Sequence, residues 1–423
     1  MLSKPTSIMG GMMITAGATI GAGMFSLPTI ASGMWFGWAM VCLFLAWFCM
    51  YFASLMVLEV NLNFPHGSSY DTMIKGTLGK RWNQFNSLLL LFLLYILLYA
   101  FISGGGSIVN HTMTTMLGYA PPQFITGALI ALSLSVVVSI STRAVDRIIT
   151  VLFAGMLITY LAALFDLRIA VDLGSLFSTS DTRGQPPRFI YFFAALPFFI
   201  TAFGFYAIVP SLVKYYGKNP RTIRNSMLYG SLLSLVFYLL WLIFSMGILE
   251  RTQFLPIIAA GGNVGVLVSA ITQSIPIARL GDYLNMFAIF AITSSFLGVG
   301  ISLFDFFADK YEFGNSAPDR FKTALLAFLP PVIGGLFFPN GFIYAIGFAA
   351  LVMAFNGLLI PSLMLKKSRA LFTDTEETDT QVTDSTFRVP GGNALIYFMI
   401  AMGALLAVCH TLAMYDLLPV YGH

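Results

Sequence analysis

Apolar segments of about 20 residues recur along the whole chain, and this is the length of helix that crosses the hydrocarbon core of a bilayer. The sequence is 58% hydrophobic and 9% charged, whereas soluble domains carry about 25% charged residues. We therefore predict an all-α polytopic membrane protein. Eleven spans are predicted, at residues 8–30, 36–61, 85–109, 122–142, 148–167, 189–213, 226–249, 284–308, 322–338, 341–364 and 394–418.

The positions of the basic residues indicate the orientation of the chain. Most of the 22 Lys and Arg residues, for example Lys80, Arg221 and Lys322, fall in segments on the same side of the membrane as the N-terminus. Arg168 and Arg279 are among the few on the other side. Because short cytoplasmic loops carry an excess of positive charge, we predict a cytoplasmic N-terminus and a C-terminus outside.

The first span, Met9–Pro28, is interrupted near its middle by Gly17, Gly21 and Gly23. Each glycine costs a helix interior about 1 kcal/mol relative to alanine, so the helix is expected to stop and restart at this depth. Lipid cannot satisfy the freed backbone groups, which must be buried in protein or line a cavity. We interpret the break as a binding site. The alternative is that the glycines only allow neighbouring helices to pack closely.

The sixth span contains a second interruption, where Pro197 is followed by Gly204 and Pro210. Broken helices at the same position in two sets of five spans indicate an inverted-repeat transporter with a site at the membrane midplane. The predicted organisation is a first repeat at 1–168, a second repeat at 189–364, a cytoplasmic linker at 365–392, and an extra eleventh helix with the C-terminus at 393–423.

Three connecting segments and two acidic residues carry further expectations. The polar segment Pro65–Trp82 is predicted to lie along the cytoplasmic interface. Thr252–Ile277 is predicted to be either a re-entrant or lid segment or an ordinary surface loop. The acidic segment Leu371–Thr386 is predicted to be a flexible linker.

Glu59 and Asp305 lie near the cytoplasmic ends of their spans, where they are expected to anchor helix ends or pair with basic residues. A proton relay is the alternative role for Asp305.

Five segments spread over nearly the whole chain carry a family resemblance. They are GATIGAGMFSLP at 17–28, LEVNLNFPHGSSYDT at 58–72, VPSLVKYYGK at 209–218, SSFLGVGISLFDFFADKYEF at 294–313 and RFKTALLAFLPPVIGGLFFPNGFIYAIG at 320–347. Together they resemble the bacterial hydroxy and aromatic amino acid permeases, particularly the tryptophan and tyrosine permeases. The resemblance implies the five-plus-five inverted repeat of the amino acid, polyamine and organocation superfamily (the leucine-transporter-type fold) with one extra helix. It also implies a bacterial inner-membrane location and symport of an aromatic amino acid, usually with protons. In the inner membrane, the C-terminus that the charge distribution places outside is periplasmic.

The resemblance assigns the substrate site to the two breaks. The backbone expected to hold the substrate's carboxylate and amino groups is that of Thr19, Gly21, Ala22 and Gly23. The opposite wall is expected to be Phe203, Gly204, Phe205 and Tyr206. Aromatic side chains beside a break offer flat surfaces to a ring. Tyr95 on the third span is expected either to add another aromatic wall or to have a structural role.

Two departures from the family pattern bear on the coupling ion. Family members commonly carry a lysine where this chain has Met156, and a histidine where it has Tyr206. Sodium-coupled carriers of the same fold hold Na⁺ with first-span carbonyls and eighth-span hydroxyls, and such oxygen ligands suit a hard cation. The corresponding groups are the carbonyls of Gly17 and Ile20 and the hydroxyls of Thr293 and Ser294. We expect a Na⁺ site there; the alternatives are the family's usual proton coupling and hydroxyls that only bond across helices.

We therefore expect a symporter that imports tryptophan or tyrosine by alternating access, driven by a cation gradient. The alternatives are an amino-acid-sensing membrane protein of the same fold and a symporter for a small hydroxy amino acid. The sequence contains no HExxH, GxSxG or paired-carboxylate motif. An enzyme is therefore not expected, and neither is a nucleic-acid partner or a cofactor other than a coupling ion.

Overall fold

The computed structural model describes residues 7–140, 142–177, 187–275, 277, 279–314, 316–373 and 387–422. These residues are predominantly helical, and no β-strand occurs among them. A helix satisfies its backbone hydrogen bonds within one segment, which is what a chain inside lipid requires. The all-α prediction is confirmed.

The helices follow the apolar segments of the sequence. In chain order they are α1 (Ile8–Thr19), α2 (Ser26–Ala31), α3 (Trp35–Leu62), α4 (Tyr70–Thr77), α5 (Lys80–Leu117), α6 (Gln123–Ile140), α7 (Thr142–Leu167), α8 (Leu173–Leu176), α9 (Ile190–Ala202), α10 (Val209–Tyr216), α11 (Pro220–Ile248), α12 (Phe254–Ala259), α13 (Val264–Gln273), α14 (Leu280–Lys310), α15 (Ala317–Phe337), α16 (Phe342–Met353), α17 (Ile360–Thr373) and α18 (Gly392–Met414). Short 3₁₀ turns lie at Ala22–Phe25, Phe205–Ile208 and Arg251–Gln253, and the π-helical segment Ala354–Leu359 joins α16 to α17.

Ten helical segments of the described chain are long and apolar enough to cross a membrane, and the number rises to eleven if the bent pair Ile8–Thr19 and Ala22–Ala31 forms one span. That pair bends by 50° at its break. Each predicted span overlaps one of these segments; the sixth, for example, overlaps Ile190–Tyr216. The chain is a multi-pass membrane protein. Its five-plus-five repeat and the predicted domain boundaries stay predictions.

Aromatic side chains fill the centre of the bundle beside the first break. The ring of Phe25 lies 5.7 Å from that of Trp241 and 5.0 Å from that of Phe287, and Tyr160 lies 5.0 Å from Phe287. All four residues are buried. Aromatic pairs in these geometries contribute about 0.5–1.5 kcal/mol beyond the burial of their area. The cluster therefore fixes α7, α11 and α14 around the segment that restarts the first span.

The connecting segments show how far the loop predictions hold. Segment Pro65–Trp82 contains α4, whose N-terminus is capped by the hydroxyl of Ser69. Segment Thr252–Ile277 forms α12 and α13, whose Phe254 and Val264 are buried, so the prediction of an ordinary surface loop is wrong.

Helix α17 runs to Thr373, so the first part of the predicted linker, 365–373, is helical. The rest of the acidic segment, 374–386, lies outside the described residues.

Glu59 forms a buried ion pair at one end of the bundle. The guanidinium of Arg369 donates to both carboxylate oxygens, with Nε 2.7 Å from Oε1 and a terminal nitrogen 2.8 Å from Oε2. The N–H of Val389 donates to Oε2 at 2.6 Å. The prediction that Glu59 pairs with a basic residue is confirmed, and the pair connects α3 and α17 to the segment before α18. Asp305 lies on an exposed position of α14.

Candidate functional site at the two helix breaks

The first break lies between Thr19 and Ala22. Ile20 leaves the helical conformation at φ −73° and ψ 114°, and Gly21 is fully extended at φ −169° and ψ −162°. The chain then restarts as the 3₁₀ turn Ala22–Phe25. A break in the first span is confirmed, but Gly17 does not interrupt the helix, since it lies within α1. The hydroxyl of Thr19 donates within α1 to the Thr15 carbonyl at 2.7 Å. The backbone carbonyl of Thr19 lies at the end of α1, where it has no partner within the helix.

The second break lies between α9 and α10. Helix α9 ends at Ala202, Phe203 and Gly204 are not helical, and the turn Phe205–Ile208 leads into α10. Pro210 lies in the first turn of α10, where a missing N–H costs nothing. An ideal Cβ at Gly204 would lie 2.8 Å from Cε of Met353, so α16 approaches the break where the chain lacks a side chain. This predicted break is also confirmed.

Tyr238 on α11 joins the two breaks. Its hydroxyl oxygen lies 2.6 Å from the carbonyl oxygen of Thr19 and 2.9 Å from that of Ala202. These are the last residues of α1 and α9, whose carbonyls have no partner within the helix. The side chain is completely buried, and its ring lies 5.0 Å from that of Phe203. The single O–H of Tyr238 is therefore shared between the carbonyls that end α1 and α9, and it holds the two helix ends together.

Ser295 connects the first break to α14. The N–H of Ala22 donates to Oγ of Ser295 at 3.1 Å. An ideal Cβ at Gly21 would lie 2.6 Å from the same oxygen, so this approach requires a glycine at position 21. The hydroxyl thus takes up one N–H freed by the break, and it is the residue next to the predicted Ser294.

Open space borders the first break and the neighbouring part of α14. Six residues here are half-exposed although they lie in the middle of their spans, namely Gly21, Gly23, Gly204, Ser294, Ser295 and Gly298. An ideal Cβ at Gly23 or at Gly298 meets no atom within 4 Å. The N–H groups of a restarting helix favour a carboxylate, and the carbonyls of an ending helix favour an ammonium group or a cation. The arrangement can therefore bind a small zwitterion at its backbone.

The aromatic residues of the second break face into protein. Phe203 and Phe205 are completely buried, and Tyr206 is 3% exposed. The ring of Tyr206 lies 5.5 Å from that of Tyr70 on α4, and the Tyr70 hydroxyl donates to the Asn356 carbonyl at 2.9 Å in the π-helical segment. Burial, with a smaller contribution from Tyr206, holds the pKa of Tyr70 well above its ordinary value, so the phenol stays protonated as a donor. The predicted wall is thus braced from α4 and from the segment after α16.

Tyr95 contacts other parts of the molecule. Its hydroxyl donates to the Leu326 carbonyl of α15 at 2.6 Å, and its ring lies 6.0 Å from Phe307 of α14. These contacts favour the structural alternative for Tyr95.

Among the residues of the predicted ion site, Gly17 lies on α1, Ile20 lies in the break directly after α1, and Thr293 and Ser294 lie on α14. Ser294 donates to the Ala291 carbonyl at 3.1 Å, which leaves its oxygen lone pairs for a cation. Met156 on the neighbouring α7 is completely buried, so an apolar side chain fills the position that the family pattern gives to lysine. No cluster of three His, Cys, Asp or Glu suited to a metal occurs in the described part of the chain. Binding of a cation by Gly17, Ile20, Thr293 and Ser294 stays a prediction.

Sequence reasoning missed three residues that shape the site: Tyr238, Ser295 and Tyr70. Tyr238 is one of 18 tyrosines and lies in an unbroken apolar span, so its position carries no local signal. Ser295 follows directly after Thr293 and Ser294, and the run of three hydroxyl residues was the available signal.

Comparison with known proteins gives consistent matches over the whole chain. The profile of the tryptophan/tyrosine permease family matches residues 4–410. A tryptophan-specific transport protein of Pseudomonas aeruginosa (strain UCBPP-PA14) is 46% identical over 421 residues, covering 99% of this chain and 98% of the relative. A low affinity tryptophan permease of Escherichia coli (strain K12) is 38% identical, covering 99% of both chains. A tyrosine permease of Enterobacter agglomerans is 33% identical over 430 residues, covering 100% of both.

Proposed function

Because this chain belongs to the tryptophan/tyrosine permease family, we propose that it imports an aromatic amino acid, with tryptophan as its main substrate, by secondary symport. The chain is a transport protein and not an enzyme, since the family and the relatives are permeases. The choice of tryptophan is supported by two relatives, the tryptophan-specific transport protein at 46% identity and the low affinity tryptophan permease at 38% identity.

The observation that carries the proposal is the pair of helix breaks joined by Tyr238. Backbone that is irregular at mid-membrane depth persists only where protein or a cavity receives its polar groups. Here Tyr238 and Ser295 take up some of these groups, and open space borders Gly23. In the proposed mechanism the remaining N–H groups bind the substrate carboxylate, the carbonyls bind its ammonium group, and alternating access moves the half-helices around this site.

Na⁺ is the proposed coupling ion, with the carbonyls of Gly17 and Ile20 and the hydroxyls of Thr293 and Ser294 as ligands. The proposal is supported by the buried Met156, because a lysine there would place a positive charge beside the ion. The protein is further proposed to lie in the bacterial inner membrane, with a cytoplasmic N-terminus, a periplasmic C-terminus and the five-plus-five repeat. The distribution of Lys and Arg supports this orientation.

Uptake by proteoliposomes tests the proposal. Labelled tryptophan is offered with and without Na⁺, and unlabelled tryptophan, tyrosine, alanine and serine compete with it. Tryptophan and tyrosine are expected to compete strongly, and alanine and serine weakly. Equal competition by serine or alanine would instead indicate a carrier for small amino acids. Saturable tryptophan binding without any uptake would indicate a sensor.

A further inference from the structure

A second cavity lies at the end of the bundle that carries the C-terminus. Its volume is about 410 Å³, which falls within the range of small-molecule sites. It lies between α2, α9, α16 and α18 and is covered by the segment after α18. Among small and aliphatic residues, aromatic side chains line part of the wall, namely Tyr191, Phe198, Tyr344, Phe348 and Tyr421. None of the break residues 20–23 and 203–206 lines it.

Two buried polar atoms without partners belong to the wall of this cavity. Thr29 is 3% exposed and His410 is 5% exposed. Neither Oγ1 of Thr29 nor Nδ1 of His410 has a hydrogen-bond partner in the described part of the chain. An unpaired buried polar atom costs about 1–3 kcal/mol. The two side chains therefore each carry an unpaired polar atom at the wall of the cavity.

The wall on the α2 side is held in place by Arg251. Its guanidinium donates to the carbonyl oxygens of Ser32 at 3.0 Å and Gly33 at 2.9 Å. It also lies 4.3 Å from the ring centre of Tyr421, which comes from the C-terminal segment. Arg251 therefore fixes the end of the first span and the C-terminal segment in one arrangement. A cavity organised in this way loses little entropy when it binds a ligand.

We propose that this cavity is a second binding site, for a small uncharged aromatic molecule with one N–H or O–H donor, of the indole class. The aromatic wall suits a flat ring, and a neutral imidazole or a hydroxyl accepts the donor. The acidic residue of the wall, Asp416, lies at an exposed position, and the buried Arg251 behind the wall is engaged by the carbonyls of Ser32 and Gly33, so the cavity favours an uncharged ligand. The site is separate from the one proposed for transport.

Binding of radiolabelled indole tests the proposal, with full-length protein in lipid nanodiscs and saturating tryptophan present. One saturable site is expected. We expect 1-methylindole, which lacks the N–H, to bind about 10-fold more weakly.

Thr29→Val and His410→Leu should each weaken indole binding about 2- to 10-fold and reduce its advantage over 1-methylindole. Ala194→Phe, which places a ring in the cavity, should abolish binding, and the smaller Ala194→Leu should weaken it.

A matched control is His111→Leu, since His111 also has an unpartnered Nδ1 but does not line this cavity. It should bind indole as the wild type does. Absence of saturable binding would overturn the proposal, and so would equal affinity for indole and 1-methylindole, which indicates an apolar cavity for lipid chains. Indole binding that is measured without tryptophan, survives Ala194→Phe and disappears in saturating tryptophan would place indole at the breaks and overturn the proposal. These outcomes do not depend on whether the protein transports tryptophan.

Discussion

The hydroxyl oxygen of Tyr238 lies 2.6 Å from the carbonyl oxygen of Thr19, although the two residues are 219 positions apart in the sequence. The same hydroxyl lies 2.9 Å from the Ala202 carbonyl, and its single proton is shared between the two acceptors. Both carbonyls end a half-helix. The ends of α1 and α9 therefore cannot move away from α11 without losing a buried hydrogen bond.

Tyr238→Phe is expected to lower tryptophan uptake about 10-fold or more, because the carbonyls of Thr19 and Ala202 lose the one O–H that they share, and a buried polar group without its partner costs about 1–3 kcal/mol. Initial uptake rates in proteoliposomes measure the effect. The matched control is Tyr160→Phe, which removes another buried hydroxyl, one that donates to the Phe237 carbonyl at 2.6 Å. That variant should keep most of its uptake. An equal loss in both variants would mean that Tyr238 serves general packing.

Substitutions at Gly21 and Gly23 are expected to act in different ways. A Cβ at Gly21 collides with Oγ of Ser295. Gly21→Ala should therefore disturb the hydrogen bond from the Ala22 N–H to Ser295 and should also lower uptake. A Cβ at Gly23 meets open space, so Gly23→Ala should fold normally, and the larger Gly23→Val should abolish substrate binding by occupying that space. Labelled-tryptophan binding and thermal stability are measured together. Wild-type tryptophan binding by Gly23→Val would show that the open space at Gly23 is not part of the substrate site.

The spans and both breaks could be predicted because their causes are local. Apolar length sets a span, and Gly21, Gly23, Gly204 and Pro210 interrupt a helix through their own backbone properties. The pairing of Glu59 with a basic residue could also be predicted, since a carboxylate buried near a span end needs a partner.

The contacts that close the breaks could not be predicted from the sequence. The bond between Ala22 and Ser295 joins residues 273 positions apart, and it depends on how α14 packs against the first span. Likewise, Tyr95 looked suitable for an aromatic wall on residue type alone, but the packing of α15 directs its hydroxyl to Leu326. Residue type identifies candidates, and tertiary packing decides which of them reach the site.

The Glu59–Arg369 pair is expected to matter for stability. Arg369→Leu leaves a carboxylate that is 5% exposed without its guanidinium partner, and breaking a buried pair in this way costs about 3–5 kcal/mol. Thermal unfolding in detergent should show a clear drop in midpoint. The control is Lys322→Leu, since Lys322 pairs with Asp319 at 3.9 Å with its side chain 61% exposed. That variant should lose no more than about 1 kcal/mol. Similar midpoints for both variants would contradict the role given to Glu59.

Na⁺ is expected to raise the affinity for tryptophan when Na⁺ replaces choline at constant pH. A cation bound to the carbonyls of Gly17 and Ile20 would brace the first break, and by linkage tryptophan should raise Na⁺ affinity by the same factor. Thr293→Val and Ser294→Ala should each reduce the Na⁺ effect, because each removes a hydroxyl ligand.

Ser302→Ala is the matched control, since Ser302 lies on the same helix and donates to the Gly298 carbonyl at 2.9 Å, away from the proposed ligands. It should keep the full Na⁺ effect. Equal tryptophan affinity in Na⁺ and choline, together with accumulation driven by a pH gradient alone, would rule out sodium and indicate proton coupling.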